Sequence, residues 1–240
     1  MTVSVNGYAI IKNDIPIEIL VGKEFQDSNG VWHLDTWATS YLDADLVSNN
    51  IYKLYSPDIP VNKIVDSTSL ELVDGIPTRT YTFIDDVALI PNLQSQLTAT
   101  IDKLRDDTID GGFIYITHLV QSRASDRENI GNLGLLATIK IGSGTATHND
   151  LRWFNAAQDF EFILADNSRI SLDAYGMQAL YQTGSTFKAV LSDVGRTLKD
   201  WVLNSSRSVT DLQTYNAPNA WNSALSALDP SVKAIIPNIS

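Results

Sequence analysis

The spacing of hydrophobic and polar positions changes once along the chain, near Pro91. From Thr2 to Asp86 apolar residues alternate with polar ones in short, turn-bounded runs, the period-two signature of strands. Val3, Val5, Ile10, Ile11, Ile15, Ile17, Ile19 and Val21 are β-branched, which suits a pleated surface. Asp27-Ser-Asn-Gly30 predicts a turn into a strand at Val31-Trp32-His33-Leu34, and Asp74-Gly75 predicts a hairpin between Leu70-Glu-Leu72 and Thr80-Tyr-Thr-Phe83. A short helix is expected over Thr39 to Val47, ended by Asn49 or Asn50.

Beyond Pro91 the apolar spacing becomes three and four. Asn92 is placed to cap a helix whose stripe is Leu93, Leu97, Ile101 and Leu104, stopped by Gly111-Gly112. Phe113 to Val120 reads as one strand. Ser125-Asp-Arg-Glu128 fits a capping box ahead of a second helix carrying Ile130, Leu133, Gly134, Ala137 and Ile141. A hairpin is expected between Phe160-Glu-Phe-Ile-Leu164 and Arg169-Ile-Ser-Leu172. Asp173 then caps a long helix, and Ser208-Val-Thr-Asp211 caps a last short one. The fold class that follows is α+β, with a β-rich module over residues 1–90, a helix-bearing module over 91–217, and an extended arm over 218–240.

The long helix is the organising stretch. Met177, Leu180, Gly184, Phe187, Leu191, Val194, Leu198 and Trp201 form a heptad seam that has to be buried within the domain or between subunits. Gly184 stands where a large residue would be expected, so a backbone or bulky side chain can approach there. The arm bears Trp221, Leu225, Ile235 and Ile236 without a regular period, so it is expected to order against a neighbour. The candidate interface residues are therefore Gly184, Phe187, Leu191, Leu198, Trp201, Trp221, Leu225, Ile235 and Ile236.

A formal charge of −11 argues against nucleic-acid binding, which needs a basic footprint, and against an anionic membrane surface. The chain has no cysteine, which removes disulfides, thiolate catalysis and cysteine zinc sites. Its start, MTVSVNGYAIIKND, lacks the basic and apolar regions of a secretory signal, and no apolar run is long enough to span a bilayer. Synthesis in a cytoplasm is the expectation.

His33, His118 and His148 do not fall at metal-ligand spacing. Gly142-Ser-Gly144 lacks the Lys-Ser of a phosphate loop, and Asp14, Asp27 and Asp166 lack the partners of a calcium loop. Asp85, Asp86, Asp106, Asp107 and Asp110 crowd together as solvated carboxylates rather than a pair facing across a cleft. No catalytic, cofactor or metal residue is therefore assigned, and the chain is expected not to be an enzyme. Trp32, Trp37, Tyr41, Tyr52 and Tyr55 are expected in a core or subunit contact, with a glycan surface as the alternative.

Six ordered blocks carry a resemblance: Leu104-Arg-Asp-Asp-Thr-Ile-Asp-Gly-Gly-Phe113, Arg123-Ala-Ser-Asp-Arg-Glu-Asn-Ile130, Leu151-Arg-Trp153, Ile170-Ser-Leu-Asp-Ala174, Arg196-Thr-Leu-Lys199 and Val209-Thr-Asp-Leu212. In order and spacing they resemble a domain of unknown function found near the carboxyl end of tailed-bacteriophage tail proteins. Leu46-Val-Ser-Asn-Asn-Ile-Tyr52 with Pro57 to Asp66 resembles a segment of phage tail-associated proteins, in which glycine often stands where Asn50 does here. The resemblance implies a structural virion component in the tail-fibre or baseplate region, linking fibre to tail, with other tail, fibre or baseplate proteins as partners. It also implies a homotrimer, expected to close through the tail or the long helix. The alternatives are a fibre assembly factor absent from the virion, and a receptor-binding or depolymerase subunit directed at host surface glycan.

Overall fold

The computed structural model describes residues 5–19, 23–26, 31–33, 46, 48, 50–55 and 58–237. The chain divides into two units, Met1–Leu89 and Ile90–Ser240. The fold is α+β, with strands concentrated in the first unit and helices in the second.

In the first unit, β1 (Val5–Lys12) lies between β2 (Ile15–Ile19) and β5 (Ile51–Tyr55) in an antiparallel sheet. The β1–β2 turn is Asn13-Asp14, both at positive φ, a two-residue turn whose twist matches that of the strands it joins. Ile10, Ile19, Leu46 and Ile51 form the small core under this sheet. A separate pair, β3 (Phe25–Gln26) and β4 (Trp32–His33), flanks the expected Asp27–Gly30 turn, which itself lies outside the described residues. The expected helix over Thr39 to Val47 lies largely outside them too, as do Trp37 and Tyr41. Asn50 does adopt a left-handed φ of 59°.

β6 (Lys63–Val73) and β7 (Ile76–Asp85) form the predicted hairpin, with Asp74 and Gly75 both at positive φ. Its strands are longer than the alternation suggested. Ser67 and Thr82 share a hydrogen bond of 2.6 Å across it, and Ser69 and Thr80 one of 2.5 Å.

The second unit is built round its longest helix. We label α1 (Ile90–Asp110), β8 (Phe113–Tyr115), β9 (His118–Val120), α2 (Ala124–Gly142), β10 (Glu161–Ile163), β11 (Arg169–Ser171), α3 (Ala174–Leu203), α4 (Val209–Thr214), α5 (Ala217–Ser226) and α6 (Pro230–Lys233). Asp173 caps α3 as expected, its carboxylate accepting from the Gly176 N–H at 2.7 Å. Met177, Leu180, Phe187, Leu191 and Val194 on the seam are buried in the main core of this unit. Ser208 and Asp211 form the expected capping box at α4.

Several local expectations are corrected. Helix α1 begins before Asn92: Asp86 accepts from Ala88 N–H at the head of a 3-10 turn, Val87–Leu89, that runs into the helix. Pro91 fits there because the N–H it lacks has no helical partner in a first turn. Helix α2 likewise starts early, with Arg123 rather than Ser125 at its N-cap. Asp126 accepts from the Arg123 N–H at 3.1 Å, so the Ser125–Glu128 box does not form.

The single strand expected over Phe113 to Val120 is a hairpin. It turns at Ile116 and Thr117, with φ of 45° and 69°. β-branched residues strongly disfavour that region, so the turn carries no sequence signal and is held by its surroundings. Gly112 explains part of this. A Cβ there would lie 2.4 Å from the Val120 carbonyl oxygen, so glycine lets the two hairpin strands close.

The largest correction concerns the arm. Residues 217–233 form α5 and α6, opened by Asn216 and Asp229 side-chain caps. Trp221, Leu225 and Ile236 are buried in the same core as the α3 seam. The Ile114 N–H donates to the Ile235 carbonyl at 2.9 Å, tying the tail to β8. The irregular apolar spacing reflects two short helices joined by a turn around Asp229-Pro230, which has no long period to detect.

Candidate interaction groove

Seam residues proposed as interface candidates are occupied within the chain. Phe187 and Leu191 are fully buried, and Leu198 is half-buried against the core. Gly184 meets the ring of Phe113, whose Cζ would lie 2.9 Å from an added Cβ. Trp201 stacks on Tyr215 at 4.3 Å, with the Arg207 guanidinium 3.9 Å from its ring centre. Trp221, Leu225, Ile235 and Ile236 pack inside the unit. The seam and the tail are thus used within one chain, and a homo-oligomer has to use other surface.

Among the described residues, uncovered apolar surface lies on α2. Its buried side is Ile130, Gly134 and Ala137. Gly134 matters here: a Cβ would sit 2.4 Å from the Tyr181 side chain, so the α2–α3 contact is closer than any side chain allows. Away from that contact, α2 exposes Leu135 (59%) and Ile139 (57%). Leu133 and Leu136 line a groove of about 630 Å³, together with Asn129, Asn132 and the strand residues Phe160 to Ile163. A helix that is apolar on several sides is normally covered on several sides. Among the described residues, this one is not.

The opposite wall is an aromatic cluster. Trp153 is buried, and its indole N–H donates to the Leu172 carbonyl at 2.9 Å. Phe154 and Phe160 pack on it edge-on, with ring centres 5.9 and 5.1 Å away. Phe154 remains half exposed at the groove, as does Ile163. The charged residues lining the groove are both acidic. Asp126 serves the α2 cap, and Glu161 pairs with Arg169 at 3.0 Å. What the groove offers is apolar area, amide groups and strand backbone.

The carboxylates that crowd in the sequence are each engaged. Asp106 pairs with Arg105, Asp107 with Lys103 and Asp110 with Arg127, while Asp85 pairs with Lys63. The Arg105 bond holds the Asp106 carboxyl below its usual range. Of the histidines, His148 stacks on Tyr175 at 3.7 Å, His33 is buried against Phe25, and His118 lies exposed in β9. Among the described residues no group of three His, Cys, Asp or Glu could hold a metal ion, and no helix is long and apolar enough to cross a membrane. Trp32 is 65% exposed in β4 and Tyr52 half-buried in β5.

Reasoning from the sequence missed Leu135, Ile139, Phe154 and Ile163. A signal was available in Leu133-Gly-Leu-Leu-Ala-Thr-Ile-Lys-Ile141, which is apolar on more than one side of a helix.

A family model, a domain of unknown function (DUF4376), matches residues 92–218, which is 127 of the 240 positions. The chain belongs to this family. Every groove residue falls inside the matched span, whereas Trp221, Leu225 and Ile236, beyond it, still complete its core. Comparison with curated proteins and with solved structures returns no match.

Proposed function

We propose that the chain is a non-catalytic structural component of a bacteriophage tail, in the fibre or baseplate region, where it joins the fibre to the tail. The observation that carries the non-catalytic part is helix α2, which has apolar side chains on several sides and a cover from its own chain on one. Exposed apolar surface bordering a preformed groove favours a protein partner. The tail context rests on the order and spacing of the blocks from Leu104 to Leu212, which lie within the family's span. In this reading the chain is made in the host cytoplasm and carried in the virion, with other tail, fibre or baseplate proteins as partners.

The test is mass spectrometry of purified particles together with a surface variant. Peptides of the chain should appear at a fixed ratio to known tail proteins. Leu135→Glu with Ile139→Glu should leave the chain folded but lower its incorporation. Absence from particles of a chain that the host cell contains would favour the assembly factor instead.

A further inference from the structure

Strand β10, which walls the groove, has a neighbouring strand along one edge only among the described residues. It pairs with β11 in a two-stranded sheet. Just outside the paired residues, the Leu172 N–H donates to the Phe160 carbonyl at 3.4 Å and the Leu164 N–H to the Ser168 carbonyl at 2.9 Å. Hydrogen-bonded and non-bonded pairs alternate along an antiparallel ladder. Phe162, Leu164 and the Phe160 carbonyl therefore face β11, and Glu161 and Ile163 turn their backbone groups away. The Phe160 N–H donates to the Leu151 carbonyl at 2.7 Å.

On that outer edge, the described residues give one backbone hydrogen bond, at Ala165. The Ala165 N–H donates to the Leu119 carbonyl at 3.1 Å. β9 then leaves the edge, and Gln121 lines the groove instead. Among the described residues, no backbone carbonyl accepts from Glu161 or Ile163. The groove follows the same edge. Phe160, Glu161, Phe162 and Ile163 all line it, although alternate residues of a strand point to opposite faces. A void touching four successive residues runs along the strand's side rather than over one face.

We propose that an extended segment of a partner protein adds to β10 as a further strand in this groove. This deepens the reading of the groove as the partner surface and rests on it. The outward N–H and C=O groups of Glu161 and Ile163 supply the main-chain bonds, the mode by which sheet edges capture peptides. Leu133, Leu136 and Phe154 receive apolar side chains at alternate positions of the incoming strand. Both charged groups lining the groove are acidic. Glu161 is paired with Arg169, while Asp126 accepts only the Arg123 N–H among the described residues and keeps its charge, so lysine or arginine beside those apolar positions complements the groove. A second β10 edge is disfavoured on the same ground, because Glu161-Phe162-Ile163 brings no cation.

The probe is the peptide acetyl-KVTVKVTV-amide, titrated into the full isotope-labelled chain and followed by amide NMR and hydrogen exchange. The expected result is slowed exchange at Glu161 and Ile163, with no change along β6 and β7. Ile163→Pro deletes the outward N–H and leaves the β11 ladder intact, and an edge strand accepts proline. It should weaken binding about fivefold or more, the loss of one main-chain bond. The same peptide N-methylated at alternate residues should lose binding to the natural chain, which tests the mode without altering the protein. Equal binding of the methylated peptide, protection centred on Leu135 and Ile139, or no binding at millimolar peptide would overturn the proposal. Protection at Glu161 and Ile163 by a chain absent from particles would overturn the tail role alone. Presence in particles with no such protection would overturn the strand mode alone.

Discussion

β6 and β7 pair over ten registers and bury one side chain, Pro77, whereas α3 by itself buries eight residues. The hairpin is held chiefly by contacts local in sequence, a two-residue turn, a backbone ladder and hydroxyl pairs across the strands, with the Arg79–Glu18 ion pair tying it to β2. The helix is held by residues far away in sequence, from Phe113 before it to Ile236 after it. Elements held locally open locally. Elements held by a shared core are lost together. The second unit should thus unfold as one cooperative block, while the hairpin loosens without consequence for that block.

The comparison breaks most visibly at the tail. A chain ending at Asn216 loses Trp221, Leu225 and Ile236 from the core, at about 1.5–3 kcal/mol for each buried side chain. Together these rival the net stability of an ordinary domain, about 5–15 kcal/mol. The helical unit is expected to lose its cooperative thermal transition, read by circular dichroism at 222 nm (a wavelength about right for helix). A truncated chain with an unchanged transition would return the tail to the status of an independent arm.

A single charge in the seam comes next. Leu191→Asp places a carboxylate among fully buried neighbours and should cost more than about 4 kcal/mol, enough to abolish soluble expression of the helical unit. Asp193→Ala, two residues along on the exposed side, should change stability by less than about 0.5 kcal/mol. Similar behaviour of the two variants in urea titrations would mean that the seam is not what holds α3.

Gly75→Ala sharpens the other half of the comparison. Gly75 has φ of 78° in the β6–β7 turn, and a Cβ there meets open space, so the cost is conformational alone. The expected loss is about 1–2 kcal/mol. It should appear as faster amide exchange along β6 and β7, with the transition of the helical unit in place. A shift of that transition would show the hairpin to be coupled to the core after all.

The smallest effect concerns pH at the α4 cap. Bonds from the Ser208 N–H and hydroxyl hold the Asp211 carboxyl below its usual range. A carboxyl lowered in the folded state contributes stability above its unfolded pKa, about 3.9, and loses it as pH falls through the lower folded value. Amides of α4 should therefore exchange faster only below the ordinary carboxylate range. Asp211→Asn should remove that pH dependence. Fraying that begins near neutral pH would point to a different group.

How much was legible follows the same division between local and distant contacts. The Asp74-Gly75 hairpin, the Asp173 cap and the Ser208–Asp211 box were readable because the residues that make them are neighbours. The Ile116-Thr117 turn was not, because both residues disfavour the conformation they hold there. The starts of α1 and α2 were misplaced because an acidic residue capped from a position the motif did not assign. The apolar run from Leu133 to Ile141 hinted at one wall of the groove, but the assembled groove was not legible. Phe154, Ile163 and Leu136 come from three separate stretches that only the packed chain brings together.

The sequence by itself determined the periodic elements, the change from strand to helix near Pro91, and the seam that α3 buries, because side-chain spacing along one element is a local property. Only the tertiary structure decided what covers each apolar face. It set Phe113 on Gly184, Tyr181 on Gly134, and Trp221, Leu225 and Ile236 over a core that the sequence left open to a partner subunit. Among the described residues, it also left the outer side of α2 and the outer edge of β10 uncovered. An apolar stripe states that burial must occur, but the hydrophobic effect has no direction, so its partner is fixed by geometry summed over the whole unit.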